Sequence, residues 1–502
     1  MYNRDLPERE EFSDPSYRDY LEFQDRTSLQ LADEIYQTIK AVNPEVAVTG
    51  RRNRNDLIRM ETQRAVDRAQ PEWPYQAGEQ ARWAAAFGQG KTYSSTSANF
   101  IDFASRFVAE TGDYQMARFA QQLANGAAFD FYLLGTFDQD DTKAFPQVQA
   151  LYQWHAANEA HYRGLRSVAR VGLYHSLKTK TYSGATRTKS ISENCFRGAY
   201  RALLEARIPF DFICDEHVGT SLDAAALLGR YDAILMPNIA CMSDAETECL
   251  DAYVAGGGVL LATGETGFYG PRGEHRRTPA LTCLPIGEVG LIRDDMRGAY
   301  FKIRDGELDL PGTTLLCLDG FYVYAAPRAG ATPLLELIPP QRFGPPELCF
   351  PETASELPGA LSQTSGKGRA VYLPWLPEFL YYRDSLPDHR HLITHLLAGE
   401  IPPQPCVLKG EGLVELTIHE QAGTGRTLVH LVNFSGQRNN LYEAPITIHG
   451  LRLGVRQEQP VAVRALVAGA DLAFGQAEPD VSGYLWINLP PLRAFEAILI
   501  ER

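Results

Sequence analysis

The chain has 502 residues, 44% hydrophobic and 22% charged, with a formal net charge of −14. This length accommodates two to four globular domains, and the acidic balance disfavours nucleic acid and anionic membrane surfaces as main partners. No run of about 18 apolar residues offers a membrane span, and the start "MYNRDLPEREEF" has no apolar signal-peptide core, so a cytoplasmic location is expected.

The first element is a helix over 16–42, where Tyr17, Tyr20, Leu21, Leu31, Ile35 and Ile39 recur at helical spacing before Asn43-Pro44. "EVAVTG" (45–50), "DLIRMET" (56–62), "ANFIDFASR" (98–106) and "AAFDFYLLGTF" (127–137) read as four strands, with helices over 114–126 and about 144–163. Strands of this apolar kind, alternating with helices or long loops, predict a parallel sheet buried on both faces, with Phe100, Ile101, Phe103 and Phe107 as candidate core.

A second αβ series begins at "VARVGLYHS" (168–176). It continues through an amphipathic helix (191–208) and the strands "PFDFICDE", "YDAILMPNIA" and "GGGVLLATGETG". Ser243 and Glu246 have the spacing of a capping box. The layout predicts a doubly wound, flavodoxin-like domain running to about residue 398, and "IPPQP" (401–405) is a linker. Beyond it, short alternating strands without helices predict a small β-sandwich. The expected domains are therefore 1–165, 166–400 and 401–502.

Few motifs carry chemistry. Eight cysteines are scattered without CxxC or zinc-type spacing, the pattern of buried free thiols in a reducing compartment. The tight turn after "VLLAT", where a class I amidotransferase-like domain would hold its nucleophilic Cys, has Thr263, Gly264, Glu265 and Thr266 instead. His155 and His161 are six apart, a poor match to one helical face, so no metal site and no cofactor is expected. Three acids stand at or near strand ends: Glu61, Asp102 and Asp138. Cleaving a glycosidic bond requires two carboxyls, usually from different strands. Asp102 reads either as one of them or as a loop anchor paired to Arg106. Trp73 reads either as a sugar-stacking ring or as core.

The segment from "CFRGAYRALLEARIPFDFICDE" to "GGGVLLATGETGFYG" resembles the trimerisation domain of family-42 β-galactosidases and their relatives. "DLIRMETQRA", "NFIDFASRF" and "QQLANGAAFDFYLLGT" resemble the second half of the barrel in that group. The resemblance implies a partial (β/α)8 barrel, then a flavodoxin-like (class I amidotransferase-like) domain, then a C-terminal β-sandwich, assembled as a homotrimer on a carbohydrate substrate. In the family the acid/base follows the fourth strand in an Asn-Glu pair, and a Glu after the seventh strand is the nucleophile. Counted back from "FDFYLLGT" as the eighth strand, "NFIDF" is the seventh and offers Asp102, while strands one to four have no counterpart. The implied roles are Asp102 and Glu61 as catalytic acids, with Asn99, Arg106, Trp73 and Asp138 binding substrate. Three explanations of the missing strands stand open: a fragment of a longer product, a separate chain supplying the first half, or a repacked non-catalytic oligomerising or carbohydrate-binding module.

Overall fold

The computed structural model describes residues 5–50, 55–64, 73–189, 191–310, 312–345, 347–349, 353–399, 401–438, 441–456, 460–475 and 483–502. Residues 65–72, between "RMET" and Trp73, lie outside the described residues. The chain forms two compact units: 1–25 with 170–206 and 212–403, and 26–169 with 207–211 and 404–502.

Helix α1 (Pro15–Val42) runs through the first division. The second unit then holds a four-stranded sheet in sequential order, β1 (Thr49–Gly50), β2 (Leu57–Thr62), β3 (Thr92–Ala98) and β4 (Ala128–Tyr132), with every pair parallel. Helix α2 (Gln76–Gly88) joins β2 to β3 and α3 (Gly112–Ala124) joins β3 to β4, as parallel pairing requires. Thr111 caps α3 by accepting from the Tyr114 backbone N–H at 3.3 Å. Gly126 ends the turn after it with φ +71°, a conformation suited to glycine. After β4 come α4 (Phe145–Asn158), a single 3-10 turn, and β5 (Leu165–Ser167).

Three expectations are corrected here. "EVAVTG" contributes only Thr49–Gly50 to the sheet. The helix expected over 144–163 ends at Asn158. The third strand is not "ANFIDFASR" but the polar "TYSSTSA" of Thr92–Ala98, and residues 99–110 leave it as a loop closed by one bridge between Phe100 and Ala109. Phe100 is buried, but Phe103 and Phe107 are 56% and 71% exposed. The apolar residues there cap a loop instead of alternating across a pleat.

The polar strand forms because its hydroxyls find partners on both faces. Toward the helices, Ser97 Oγ donates to Gln115 Oε1 at 2.6 Å, and Ser95 Oγ to Gln80 Oε1 at 3.2 Å. That face also carries Ile58, Phe129 and Phe131, the last two packed on Phe119 of α3. The opposite face is not the expected buried apolar surface: it carries Arg59, Glu61, Ser94, Thr96 and Asp130.

The same unit contains two antiparallel sheets. Val414–Gln421, Arg426–Asn433 and Phe495–Glu501 form the centre of one, with β5 and Ala462–Ala465 outside them. Cys406–Lys409, Arg452–Val455 and Leu485–Asn488 form most of the other. Their inner faces share one apolar core, including Leu416, Val429, Ile498, Leu453 and Ile487. Within this unit Arg82 of α2 reaches Glu415 at 2.9 Å, with both side chains at most 3% exposed. Asn125 Nδ2 donates to the same Glu415 oxygen at 3.1 Å.

The second αβ series, which lies in the first unit apart from the first two residues of β7, comprises β6 (Val171–His175), α5 (Leu177–Tyr182), α6 (Ser192–Glu205), β7 (Phe210–Cys214), α7 (Ala224–Arg230), β8 (Ala233–Met236), α8 (Asp244–Gly256) and β9 (Val259–Thr263). The sheet order is β7-β6-β8-β9, followed by Gly368–Leu373 parallel to β9 and then four further strands beginning with Pro358–Ser365. Ser243 and Glu246 make the reciprocal capping box at the start of α8. Helix α9 (Pro377–Asp384) packs on α6 at Gly198, where a Cβ would lie 1.9 Å from the Glu378 carbonyl oxygen, so glycine permits the close approach.

Candidate active site

Parallel register brings together residues that are far apart in sequence. Glu61 lies opposite Thr96, and Thr96 opposite Asp130, so the three form one row across β2, β3 and β4 near their C-terminal ends. Partnered residues in a parallel pair point to the same face. Within this row Asp130 Oδ2 accepts from Thr96 Oγ1 at 2.9 Å, and from Ser94 Oγ and Arg59 Nε at 3.2 Å each. All three donors converge on one oxygen; Oδ1 has no hydrogen bond among the described residues, and the side chain is 33% exposed. The nearby Tyr152 hydroxyl is pushed up to about 12, chiefly by burial and secondarily by Asp130.

Glu61 is exposed at the end of β2, and its backbone carbonyl accepts from Gln80 Nε2 at 2.6 Å. Asn99 follows β3 directly. Its N–H donates to the Tyr132 carbonyl at 2.9 Å, its carbonyl accepts from Glu110 N–H at 2.6 Å, and its buried Oδ1 has no hydrogen-bond partner among the described residues. Asp102 lies in the loop beyond it, partly exposed, with its carbonyl accepting from Ser105 N–H. Arg106 is exposed, its guanidinium 5.4 Å from the Phe107 ring centre. Asp138 is exposed on the loop after β4. Trp73 is half-buried against Tyr75, with rings 5.0 Å apart, and donates its indole N–H to Glu79 at 2.5 Å.

Two features of this end escaped the sequence reading. Asp130 sits in an aromatic run, "AFDFY", that reads as core; alternation along β4 places it opposite Phe129 and Phe131. Glu110 is buried between Arg64 and Arg118, 3.8 Å from each, and Arg118 also donates to the Ala98 carbonyl at 3.3 Å. The "AET" around Glu110 reads only as the approach to a helix cap, and nothing local marks it as an ion-pair centre. Among the described residues, no group of three or more His, Cys, Asp and Glu side chains is arranged to hold a metal ion.

In the first unit, the turn after β9 is filled by a buried carboxylate. Glu265 accepts from Thr188 N–H at 3.0 Å, Thr188 Oγ1 at 2.8 Å and Tyr269 Oη at 2.8 Å. Cys241, after β8, is buried, and its thiol is held well above its usual range by desolvation, with Glu265 next. Both features oppose thiolate chemistry here.

No family model and no curated protein sequence matches the chain. Solved structures do. An α-L-fucosidase isoenzyme from Paenibacillus thiaminolyticus aligns with 97% of this chain and 71% of its own, at 18% identity and a TM-score of 0.69. A β-galactosidase from Bacillus circulans sp. alkalophilus aligns with 97% and 68%, at 16% identity and a TM-score of 0.68. A family-42 β-galactosidase from G. stearothermophilus gives the same coverage and TM-score at 14% identity. Over nearly its whole length, the chain therefore has the fold of the family-42-like glycoside hydrolases.

Proposed function

We propose that this protein hydrolyses glycosidic bonds, acting on a β-galactoside or a related sugar. The observation that carries the reading is the row of Glu61, Thr96 and Asp130, a polar face near the C-terminal ends of parallel strands with Glu61 exposed and Asp130 half-buried. Chemistry in βα barrels is built at that end. A sheet-face carboxylate fixed by a guanidinium and hydroxyls is also the kind of group that recognises a sugar or acts on it. In this reading, β1 to β4 are the second half of a barrel, β6 to β9 belong to a flavodoxin-like domain, and the C-terminal sheets are a β-sandwich. Glu61 supplies one reacting carboxyl. Asn99, Asp102, Arg106 and Asp138 stand on or beside loops leaving the same end and hold substrate hydroxyls. Trp73, packed on Tyr75, takes the role of a rim support instead of a bare stacking platform.

The test is turnover of aryl β-galactosides and aryl α-L-fucosides by the purified chain, compared with Glu61→Gln. Release of the phenol by the wild type and its loss in the variant supports the reading. No release from any aryl glycoside by the folded chain overturns it in favour of a carbohydrate-binding or oligomerising module. The homotrimer belongs to the same proposal and is measured by light scattering.

A further inference from the structure

We propose that Gln80 is a positioning residue that holds the Glu61 backbone in place for reaction. The inference rests on the hydrolase reading, in which Glu61 supplies one reacting carboxyl, and goes beyond it in naming what fixes that residue. Gln80 lies near the start of α2, and the helix that follows a parallel strand starts from that strand's C-terminal end. Its amide makes three bonds there. Nε2 donates to the Glu61 carbonyl oxygen at 2.6 Å. Oε1 accepts from Thr62 Oγ1 at 3.1 Å and from Ser95 Oγ at 3.2 Å. The peptide joining Glu61 to Thr62 is therefore gripped at its carbonyl and through the next side chain, and Ser95 ties the same amide to β3.

Only one orientation of this amide satisfies its partners. A carbonyl oxygen can only accept, so the NH2 group must face Glu61 and the amide oxygen must face the two hydroxyls. Thr62 and Ser95 are each 1% exposed, so their hydroxyls take this partner in place of water. Alternation along β2 sets Thr62 on the helix side and Glu61 on the polar face. Gln80 thus acts from behind the sheet, on the peptide from which the Glu61 side chain projects. A displacement of about 1 Å at a reacting group can cost about 10²-fold in rate. Helix α3 repeats the device one strand on: Gln115 Nε2 donates to the Ala98 carbonyl at 2.7 Å, and its Oε1 accepts from Ser97 Oγ at 2.6 Å. That second grip stands behind Asn99, which holds substrate and does not react.

Steady-state kinetics of the intact chain on an aryl glycoside test this, with kcat referred to the folded fraction measured by circular dichroism. Gln80→Leu should lower kcat by about 10–10²-fold and keep KM within about threefold. Gln115→Leu should instead raise KM and keep kcat within about threefold, because it loosens a binding group. Gln80→Glu keeps the shape and the acceptor but removes the donor. Its carboxyl donates as the amide does once protonated, so the ratio of its kcat to that of the wild type should rise as pH falls from about 8 to about 5. Wild-type kcat in Gln80→Leu, equal losses of kcat in the two leucine variants, or a ratio for Gln80→Glu that does not change with pH overturns the inference and leaves the hydrolase reading intact. Should Gln80→Leu fail to fold, the isosteric Gln80→Glu decides alone. Absence of turnover by the folded wild type overturns both.

Discussion

Glu378 makes the most exacting stability test of the structure. It sits at the start of α9, 1% exposed, with Thr263 Oγ1 donating to its Oε1 at 2.6 Å and Oε2 lacking a hydrogen-bond partner among the described residues. Burial raises its carboxyl from 4.5 to about 8, and the Thr263 bond offsets only part of that. The folded state therefore holds a proton that the unfolded chain releases above pH 4.5. Stability is fully present below that pH, falls by about 1.4 kcal/mol per pH unit up to pH 8, and then levels off. The total is about 5 kcal/mol, and about 3 kcal/mol of it is lost between pH 5 and 7. Glu378→Gln keeps the shape and removes the titration. Urea unfolding of wild type and variant from pH 4.5 to 9 should show the variant gaining on the wild type by those amounts. Parallel stability curves would refute the reasoning, because they would mean that the carboxyl is ionised in the folded state or reaches water.

Other outcomes follow from equally local geometry. Replacing Arg82 with Met strands Glu415 in a dry site and should cost about 3–5 kcal/mol, read from urea midpoints; replacing both with apolar residues should recover much of it. Gly198→Ala forces a methyl into the Glu378 carbonyl and should lower stability by about 1–3 kcal/mol, measured by calorimetry. Six of the eight thiols are buried, so native DTNB titration should report Cys317 and Cys349 quickly and the rest only on unfolding. A fast-reacting third thiol would reopen the question of sulfur chemistry in the first unit.

Much of this protein was legible residue by residue. Helices α1, α3, α6 and α8, the capping box at Ser243 and strand β2 each follow from spacing within a single stretch. They form because an apolar stripe or a cap is a local property that the chain carries wherever it folds. Strand β3 was not legible in this way. "TYSSTSA" lacks an apolar pattern, and it becomes a strand because Gln80, Gln115 and Asp130, from three other elements, satisfy its hydroxyls. The neighbouring "FIDF" carries the apolar signal, yet it forms a loop.

The sequence by itself determined that acids occur near strand ends, that no thiol stands in the turn after β9, and that one parallel βα series precedes another. Only the tertiary structure decided which acids share a face. Glu61 and Asp130 are 69 residues apart, and their alignment depends on two strand registers in succession. A slip of one residue in either would turn one carboxylate to the opposite side of the sheet. Register is set by packing among β2, β3, β4 and the helices between them, and no single stretch of the chain contains that information.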